Sequence, residues 1–527
     1  MPTNTKTGIE MSVQDEYDLV ILGGGAAAFA AITEASGRGL TTVIVNTGLP
    51  LGGTCVNVGC VPSKHLLEVG KTAFEPPYNS FDAVEYGDGE PSLDWSTALD
   101  EKDKLVSQFR RENYVDVAEH FGTDVYGGYG RFAEDTIIEV VDGEDEGVRI
   151  AGEKVLVATG SSPWIAPIEG LDEIDYDTSE SILERRDLPE SIVMLGGGYI
   201  ALEWGQILHH AGVDVTILQR SSHVLSNIEG QLGREMQRCF REEGIEVVTG
   251  IDVDHVTHSG DVATDGGLAT TEARTRVEAT VDGETRAFDA AALFVATGVR
   301  PNSNGIGLDA VGVETNDSDA VVVDEGFQTT NPDVYAAGDV IGEPELETVA
   351  AKEGNHAVKN AFGNKGKTID YEAVPKVVFT SPEVAAVGVT EREYMDEHGT
   401  CSCRTVDMVD VPKARAVEDT RGLLQVVKHH ETDEIVGVHM VGPRAADMIP
   451  EATLAVKFGL TVDDILLARS SYALSGPRLH KDLRQTVYHR HDTPVPDVLR
   501  GVQTRLPGVP TGHTDHELLR RVTREHQ

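Results

Sequence analysis

Apolar residues in this chain come in short runs that end at glycines, the pattern of buried strands feeding tight turns. Residues 17–22, Tyr-Asp-Leu-Val-Ile-Leu, form one such run and lead into Gly23-Gly24-Gly25-Ala26-Ala27-Ala28. A strand, a G-x-G-x-x-A turn and a small-residue helix set backbone N–H groups and a helix N-terminus against a pyrophosphate, which makes Gly23, Gly25 and Ala28 candidate nucleotide contacts. Alone the motif is weak, but a second predicted strand, residues 42–45, follows at the distance such a unit requires. Asn46 ends that strand, where an acid normally binds the adenosine ribose. An amide can still hydrogen-bond the hydroxyls, so binding is expected to be weakened rather than lost.

The arrangement returns 173 residues later, where residues 191–195 lead into Gly196-Gly197-Gly198-Tyr199-Ile200-Ala201. Two nucleotide folds in one chain suit an enzyme that passes hydride between two dinucleotides. The same offset carries Asn46 onto Gln219, so the second ribose position also lacks a carboxylate. Arg220, Ser221 and Ser222 follow. A neutral Gln removes repulsion of a 2′-phosphate and Arg220 can pair with it, so NADPH is expected over NADH. Residues 258–274, rich in Gly, Thr and Asp without periodicity, are expected to be a solvated loop. Residues 447–459 are expected to be helical.

Residues 52–64 read Gly-Gly-Thr-Cys-Val-Asn-Val-Gly-Cys-Val-Pro-Ser-Lys. Two cysteines five apart among glycines are poor material for a core helix and good material for a redox pair. A thiol at a helix start feels the positive end of the dipole, and Lys64 adds charge; both raise the thiolate fraction. Two small buried cysteines are the plain alternative. A zinc knuckle is disfavoured because no second ligand pair follows.

The whole stretch resembles the active-site signature of the FAD-dependent pyridine nucleotide-disulfide oxidoreductases, nearest in wording to the mercuric reductases, with dihydrolipoamide dehydrogenases and glutathione reductases also similar. The resemblance implies an α/β fold with two Rossmann-like dinucleotide-binding domains and a C-terminal α+β dimerisation domain. The FAD domain would comprise residues 17–165 and 299–370, the NADPH domain 166–298, the interface domain 371–491 and a tail 492–527. It implies that Cys55 and Cys60 cycle between disulfide and dithiol, Cys60 against the flavin and Cys55 toward the substrate, both binding Hg(II) transiently if that is the substrate. Gly53, Thr54 and Lys64 would contact the flavin cofactor. Tyr199 and Glu203 match positions between nicotinamide and flavin, and the family pairs that glutamate with the lysine matching Lys64. Ala158-Thr159-Gly160 and Ala296-Thr297-Gly298 match the crossings between the nucleotide domains, and Ala336-Ala337-Gly338-Asp339 matches the motif whose aspartate holds the ribityl chain. Residues 380–388 and 411–414 resemble the interface domain, which implies a homodimer whose active site the partner subunit completes.

Near the C-terminus the chain departs from the disulfide reductases. Their general-acid His and the Glu five residues later fall on Tyr472 and Pro477. Mercuric reductases also carry tyrosine there, since thiolate-bound Hg(II) needs a ligand or stabiliser more than an acid. Tyr472 is therefore a candidate site residue, and His480, Tyr488, His489 and His491 are the reserve proton donors. Against that, no cysteine follows Cys403 or precedes Cys55, so metal delivery is expected to use another route, such as small thiols. Cys401-Ser402-Cys403 could hold a soft metal, but with no His or Cys partner nearby it reads as ordinary strand. Cys239, in a helix-like polar segment, reads as structural.

Composition adds limits. Hydrophobic residues make up 40% of 527, enough for several cores, and no run of eighteen apolar residues exists to span a membrane. The polar first sixteen residues lack a signal-peptide core. Five cysteines fit a reducing compartment with a catalytic pair and no structural disulfide framework, so a cytoplasmic protein is expected. The formal net charge of −44 would repel nucleic acid and anionic membranes, and carboxylates spread along the chain read as a halophile's solvated surface. The expected protein is an FAD-containing NADPH-dependent reductase acting on Hg(II) or a thiol-bound metal. A reductase of a small disulfide such as bis-γ-glutamylcystine is the second expectation, and a non-catalytic flavin-binding subunit the third.

Overall fold

The computed structural model describes residues 13–74, 93–259, 274–363 and 366–467. The strand Asp15–Leu22 starts two residues before the expected run. Leu19 to Leu22 are at most 3% exposed, because both faces of the strand are covered. It lies between Thr42–Asn46 and Arg149–Val157, parallel to both, with Leu19 opposite Thr42. Asp124–Gly127 extends the sheet at one side, and Val334–Ala336 joins Arg149–Val157 at the other. An antiparallel pair, Gly130–Glu134 and Ile137–Val140, completes seven strands. Helix Ala26–Ser36 covers one face together with Glu347–Phe362, and their approach depends on small residues: a Cβ on Gly354 would stand 2.1 Å from the Ala27 carbonyl oxygen.

The second sheet is parallel, in the order Glu246–Thr249, Asp214–Gln219, Ser191–Leu195, Ala292–Val295. Beside it lie three antiparallel strands, Ile251–Ser259, Arg274–Val281 and Glu284–Ala290. This corrects the expected loop over residues 258–274 at both ends. His258 and Ser259 close one strand and Arg274 opens the next, since cross-strand pairing supplies what their own periodicity does not; residues 260–273 lie outside the described residues. The chain passes between the two sheets through Ser161–Pro163 and Val299–Pro301, which pair as a two-stranded ribbon.

The third layer is a five-stranded antiparallel sheet ordered Lys376–Val378, Glu383–Gly388, Ile435–Gly442, Leu423–Lys428, Ser402–Asp407. Helix Ala445–Lys457 packs on it, shifted two residues toward the N-terminus from expectation. Helix Gly230–Glu243 buries Cys239 to 2% exposure, and burial pushes that thiol up to about 12, so it is an inert core residue as expected. No described helix is long and apolar enough to cross a membrane.

Candidate active site

The cysteine motif folds as two helices in tandem, Gly53–Asn57 and Cys60–Phe74. Gly52 sits at φ +104°, a conformation open to glycine, and lets the chain turn into the first helix. Asn57 fixes the break: its Nδ2 donates to the carbonyls of Pro50 and Gly53, and its Oδ1 accepts from Arg110 Nε at 2.7 Å. At Gly59 a Cβ would lie 2.9 Å from the Thr54 carbonyl oxygen, so only glycine lets Cys60 fold back over Cys55. Both thiols are free, Cys55 half-buried and Cys60 exposed as the first residue of its helix.

The two sulfurs share a hydrogen bond, and it divides their roles. That bond, burial and the Cys60 charge push the Cys55 thiol up, so it keeps its proton. The Cys60 thiol is drawn down to about 7, first by the Cys55 hydrogen bond and then by Lys64, against burial, Glu203 and Glu347. Near neutral pH Cys60 is then more ionised than an ordinary cysteine, whose pKa is near 8.5.

Lys64, one turn beyond Cys60, reaches Glu203 at 2.6 Å across 139 positions of sequence. Glu203 is 4% exposed, and its second oxygen accepts from the Phe379 backbone N–H at 3.0 Å. The Lys64 ammonium also lies 5.2 Å from the centre of the Phe379 ring. This single ion pair thus joins the thiol helix, the helix Tyr199–His210 and the third layer.

Both glycine turns have the geometry of a dinucleotide cradle. A Cβ on Gly23 would stand 2.2 Å from the Ala158 oxygen, and one on Gly196 2.1 Å from the Ala296 oxygen. Gly25 and Gly198 begin the two helices in extended conformation, and neither helix has a side-chain cap, which leaves its first N–H groups for an anion. Ala28 is fully buried one turn into the first helix, and Gly53 backs directly onto Gly25, where a Cβ would come within 2.9 Å. Thr54 is exposed beside it. Asn46 lies over Gly24, its Nδ2 given to the Leu49 carbonyl and its Oδ1 toward the turn. Gln219 lies over Gly197 with its carbon stem rather than its amide oxygen, and Arg220 beside it is exposed without an ion-pair partner among the described residues.

At the crossing, Thr159 Oγ1 donates to the Asn302 carbonyl at 2.8 Å, while Gly160 and Gly298 take φ +70° and +129°. Ser161 Oγ donates to Asp339 at 2.7 Å, and burial pushes the Asp339 carboxyl up. Gly338 N–H donates to Glu353, whose other oxygen accepts from Tyr371.

A pyridine nucleotide-disulphide oxidoreductase model matches residues 17–354, and the dimerisation-domain model of the same family matches residues 374–472. The chain belongs to the pyridine nucleotide-disulphide oxidoreductases. It is 39% identical to a mercuric reductase of Streptomyces lividans over 450 residues, 85% of this chain and 92% of that protein. A mercuric reductase of Lysinibacillus sphaericus is 36% identical over 459 residues, 87% of this chain and 80% of the relative. A dihydrolipoyl dehydrogenase of Bacillus subtilis (strain 168) is 34% identical over 453 residues, 84% of this chain and 91% of the relative. The Cu(II) complex of the HOCl-induced flavoprotein disulfide reductase RclA from Escherichia coli shares the fold, with TM-score 0.74, 23% identity, 90% of this chain and 99% of that one covered.

Membership of the pyridine nucleotide-disulphide oxidoreductases implies binding of FAD and NADPH, and the glycine cradles, uncapped helix starts and buried Asp339 fit both dinucleotides. Four residues near this centre carry no mark in the sequence. Glu347 and Tyr114 lie close enough to act electrostatically on both thiols. Glu345 and Lys376 line a cleft with Tyr199, Leu225 and Asn227, and burial, then Asp339 and Glu343, push the Glu345 carboxyl up to about 7. Glu347 opens a helix like many other surface acids, so only its position identifies it. Tyr472, Pro477, His480, Tyr488, His489 and His491 lie outside the described residues.

One expectation about the cysteines is corrected. Cys401 and Cys403 are joined by a disulfide, so the chain does carry one outside the Cys55–Cys60 centre. The fold brings the carboxylate of Glu391 to the pair.

Proposed function

We propose that this protein is an FAD-dependent NADPH reductase whose Cys55–Cys60 centre reduces thiol-bound Hg(II) to Hg(0). The reading is carried by a Cys60 thiol drawn down by its hydrogen bond with Cys55 and by Lys64, which is itself paired with Glu203. When bound, FAD supplies the two-electron relay between NADPH and the cysteines. Arg220 would hold the 2′-phosphate, Tyr199 would cover the nicotinamide side of the cleft, and Asp339 would hold the ribityl chain. The Cys55 hydrogen bond and Lys64 favour the thiolate of Cys60, while Cys55 keeps its proton until it meets the substrate. Two thiolates five residues apart suit linear coordination of a soft cation, and the mercuric reductases at 36 and 39% identity support that substrate. The products balance: NADPH, a proton and a bis-thiolate complex of Hg(II) give NADP⁺, Hg(0) and two free thiols, the hydride's two electrons passing to the metal and the protons to the departing thiolates.

Glu347 favours a second reading, reduction of a small disulfide such as bis-γ-glutamylcystine. Its carboxylate acts on both thiols and favours their protonated forms, and in the sequence Tyr472 and Pro477 replace the family's His–Glu pair. Leu454 and Phe458, four apart and 54% and 67% exposed at the end of Ala445–Lys457, suit burial in a homodimer. Spread over a dimer, the charge of −44 per chain is expected to make long-lived activity depend on high salt.

The deciding experiment compares anaerobic NADPH oxidation with Hg(II)–thiol complexes and with a panel of small disulfides. Mercuric reduction should vanish in Cys55→Ser and in Cys60→Ser. The long-wavelength thiolate–flavin absorbance should persist in the first and disappear in the second. Tyr472→Phe should lower Hg(II) turnover by about 10- to 100-fold and spare disulfides, whereas a loss confined to disulfides in Glu347→Gln would establish the second reading. Absence of the band in the unmutated protein would return the chain to a non-catalytic flavin subunit.

A further inference from the structure

Away from the flavin-binding regions, Cys401 and Cys403 lie at the free edge of the five-stranded sheet, Cys403 within the strand Ser402–Asp407 and Cys401 just before it. Residues two apart on a strand project to one side, so both sulfurs face the same neighbour. That neighbour is Glu391, the first residue of helix Glu391–His398, which a Thr390–Glu393 capping box fixes at its start. Both sulfurs and a Glu391 carboxylate oxygen lie within 4.8 Å of one another, and all three residues are half-buried. Gln425 holds the carboxylate from behind, its Nε2 donating to Glu391 Oε2 at 2.6 Å. Gln425 is fully buried, and its Oε1 has no hydrogen-bond partner among the described residues.

The disulfide is poorly explained as a staple. It closes a loop of three residues, which removes little entropy from the unfolded chain, and six register pairs to Leu423–Lys428 already hold the strand. Opened, the same atoms offer two thiolates and a carboxylate at one point, a donor set that selects soft cations over Mg(II) or Ca(II). The net charge of −44 raises the local concentration of any cation.

We propose that Cys401, Cys403 and Glu391 form a thiol-gated site for a thiophilic d¹⁰ cation, closed as the disulfide and opened by a small thiol. In opening, two small-thiol molecules reduce the Cys401–Cys403 bond, leave as their own disulfide and give two cysteine thiols. In binding, two S–metal bonds form, both thiol protons pass to solvent, and Glu391 supplies the third ligand. The site is independent of the substrate assigned to Cys55 and Cys60, and works equally beside a metal or a disulfide reductase.

The test uses flavin-loaded protein carrying Cys55→Ser and Cys60→Ser, which leaves Cys239, Cys401 and Cys403. Thiol titration in denaturant should find one thiol before dithiothreitol treatment and three after it. With excess Mg(II) to occupy surface carboxylates, Cd(II) should bind at one equivalent per subunit, with thiolate-to-metal ultraviolet absorption, only after reduction and removal of the dithiothreitol. Adding Cys403→Ser should abolish that equivalent, and adding Glu391→Gln should weaken it about 10- to 100-fold. Three thiols before reduction would overturn the gate. Equal Cd(II) uptake in both redox states, or uptake that survives Cys403→Ser, would overturn the site. Should the double-serine background lose its flavin, the same titrations on otherwise unmutated protein with and without Cys401→Ser and Cys403→Ser decide by difference: a lost Cd(II) equivalent upholds the site, and no difference overturns it.

Discussion

The two glycine turns are close copies in backbone and opposites in surroundings. Gly23 and Gly196 have φ +103° and +115°, donate to the carbonyls of Val45 and Leu218, and press on the oxygens of Ala158 and Ala296. Yet the first turn is roofed: Gly53 backs onto Gly25, Leu51 and Asn46 close on Gly24, and Glu347–Phe362 lies along its helix. The second opens on Tyr199, 40% exposed, above the cleft that holds Glu345 and Lys376. The same local sequence therefore makes a closed cradle, suited to a cofactor that stays, and an open one, suited to a cofactor that comes and goes. What differs is which distant segment packs against each.

Breaking each turn should separate the two cofactors. Gly196→Ala sets a Cβ against the Ala296 oxygen and strains a positive φ, so the protein should keep its flavin while the rate of flavin reduction by NADPH falls on the order of 100-fold in stopped flow. Gly23→Ala should instead lower the flavin-to-protein ratio. If both variants lose flavin equally, the turns are not functionally distinct.

Arg220→Ala removes a charged hydrogen bond from the open turn only. Its loss should weaken NADPH binding by roughly 10- to 100-fold, about 1.5 to 3 kcal/mol, leave NADH unchanged and leave flavin content unchanged. Equal use of NADH and NADPH by the unmutated enzyme would remove Arg220 from the site.

Lys64 links the two regions through Glu203, and it favours the charged form of Cys60. The thiol lies below its ordinary value, so the long-wavelength absorbance should grow as pH rises through about 7. Lys64→Met withdraws a cation and should move that midpoint upward by about one pH unit, roughly tenfold less thiolate at a fixed lower pH. An unmoved midpoint would leave the Cys55 hydrogen bond as the whole cause.

The smallest effect is expected at the ribose of the closed turn. Asn46→Asp restores a carboxylate but loses the Nδ2 donation to the Leu49 carbonyl, so FAD affinity should change by only a few fold, about 1 kcal/mol in either direction by equilibrium titration. A change as large as that of Arg220→Ala would mean that Asn46 carries the site.

What the sequence could express was whatever depends on neighbours along the chain. The strand–turn–helix units at Gly23 and Gly196 were legible because continuous apolar runs, positive φ and helix starts are local, and the 173-residue offset repeats them. Residues 258–274 were misread as one loop because the partners that make His258 and Arg274 strand residues lie across a hairpin.

By itself the sequence determined the family, the two cradles and the cysteine pair, because turn conformation and the spacing of two thiols are set by residues within a few positions. Tertiary structure decided what opposes the ionisation that the Cys55 hydrogen bond and Lys64 favour, since Glu203 and Glu347, which push the Cys60 thiol up, are brought to it from two other helices. It also decided the surroundings of Cys401 and Cys403, because the partner that matters, Glu391, meets them through the packing of a helix against a sheet edge. Charge and burial act through space, and only folding sets the distances.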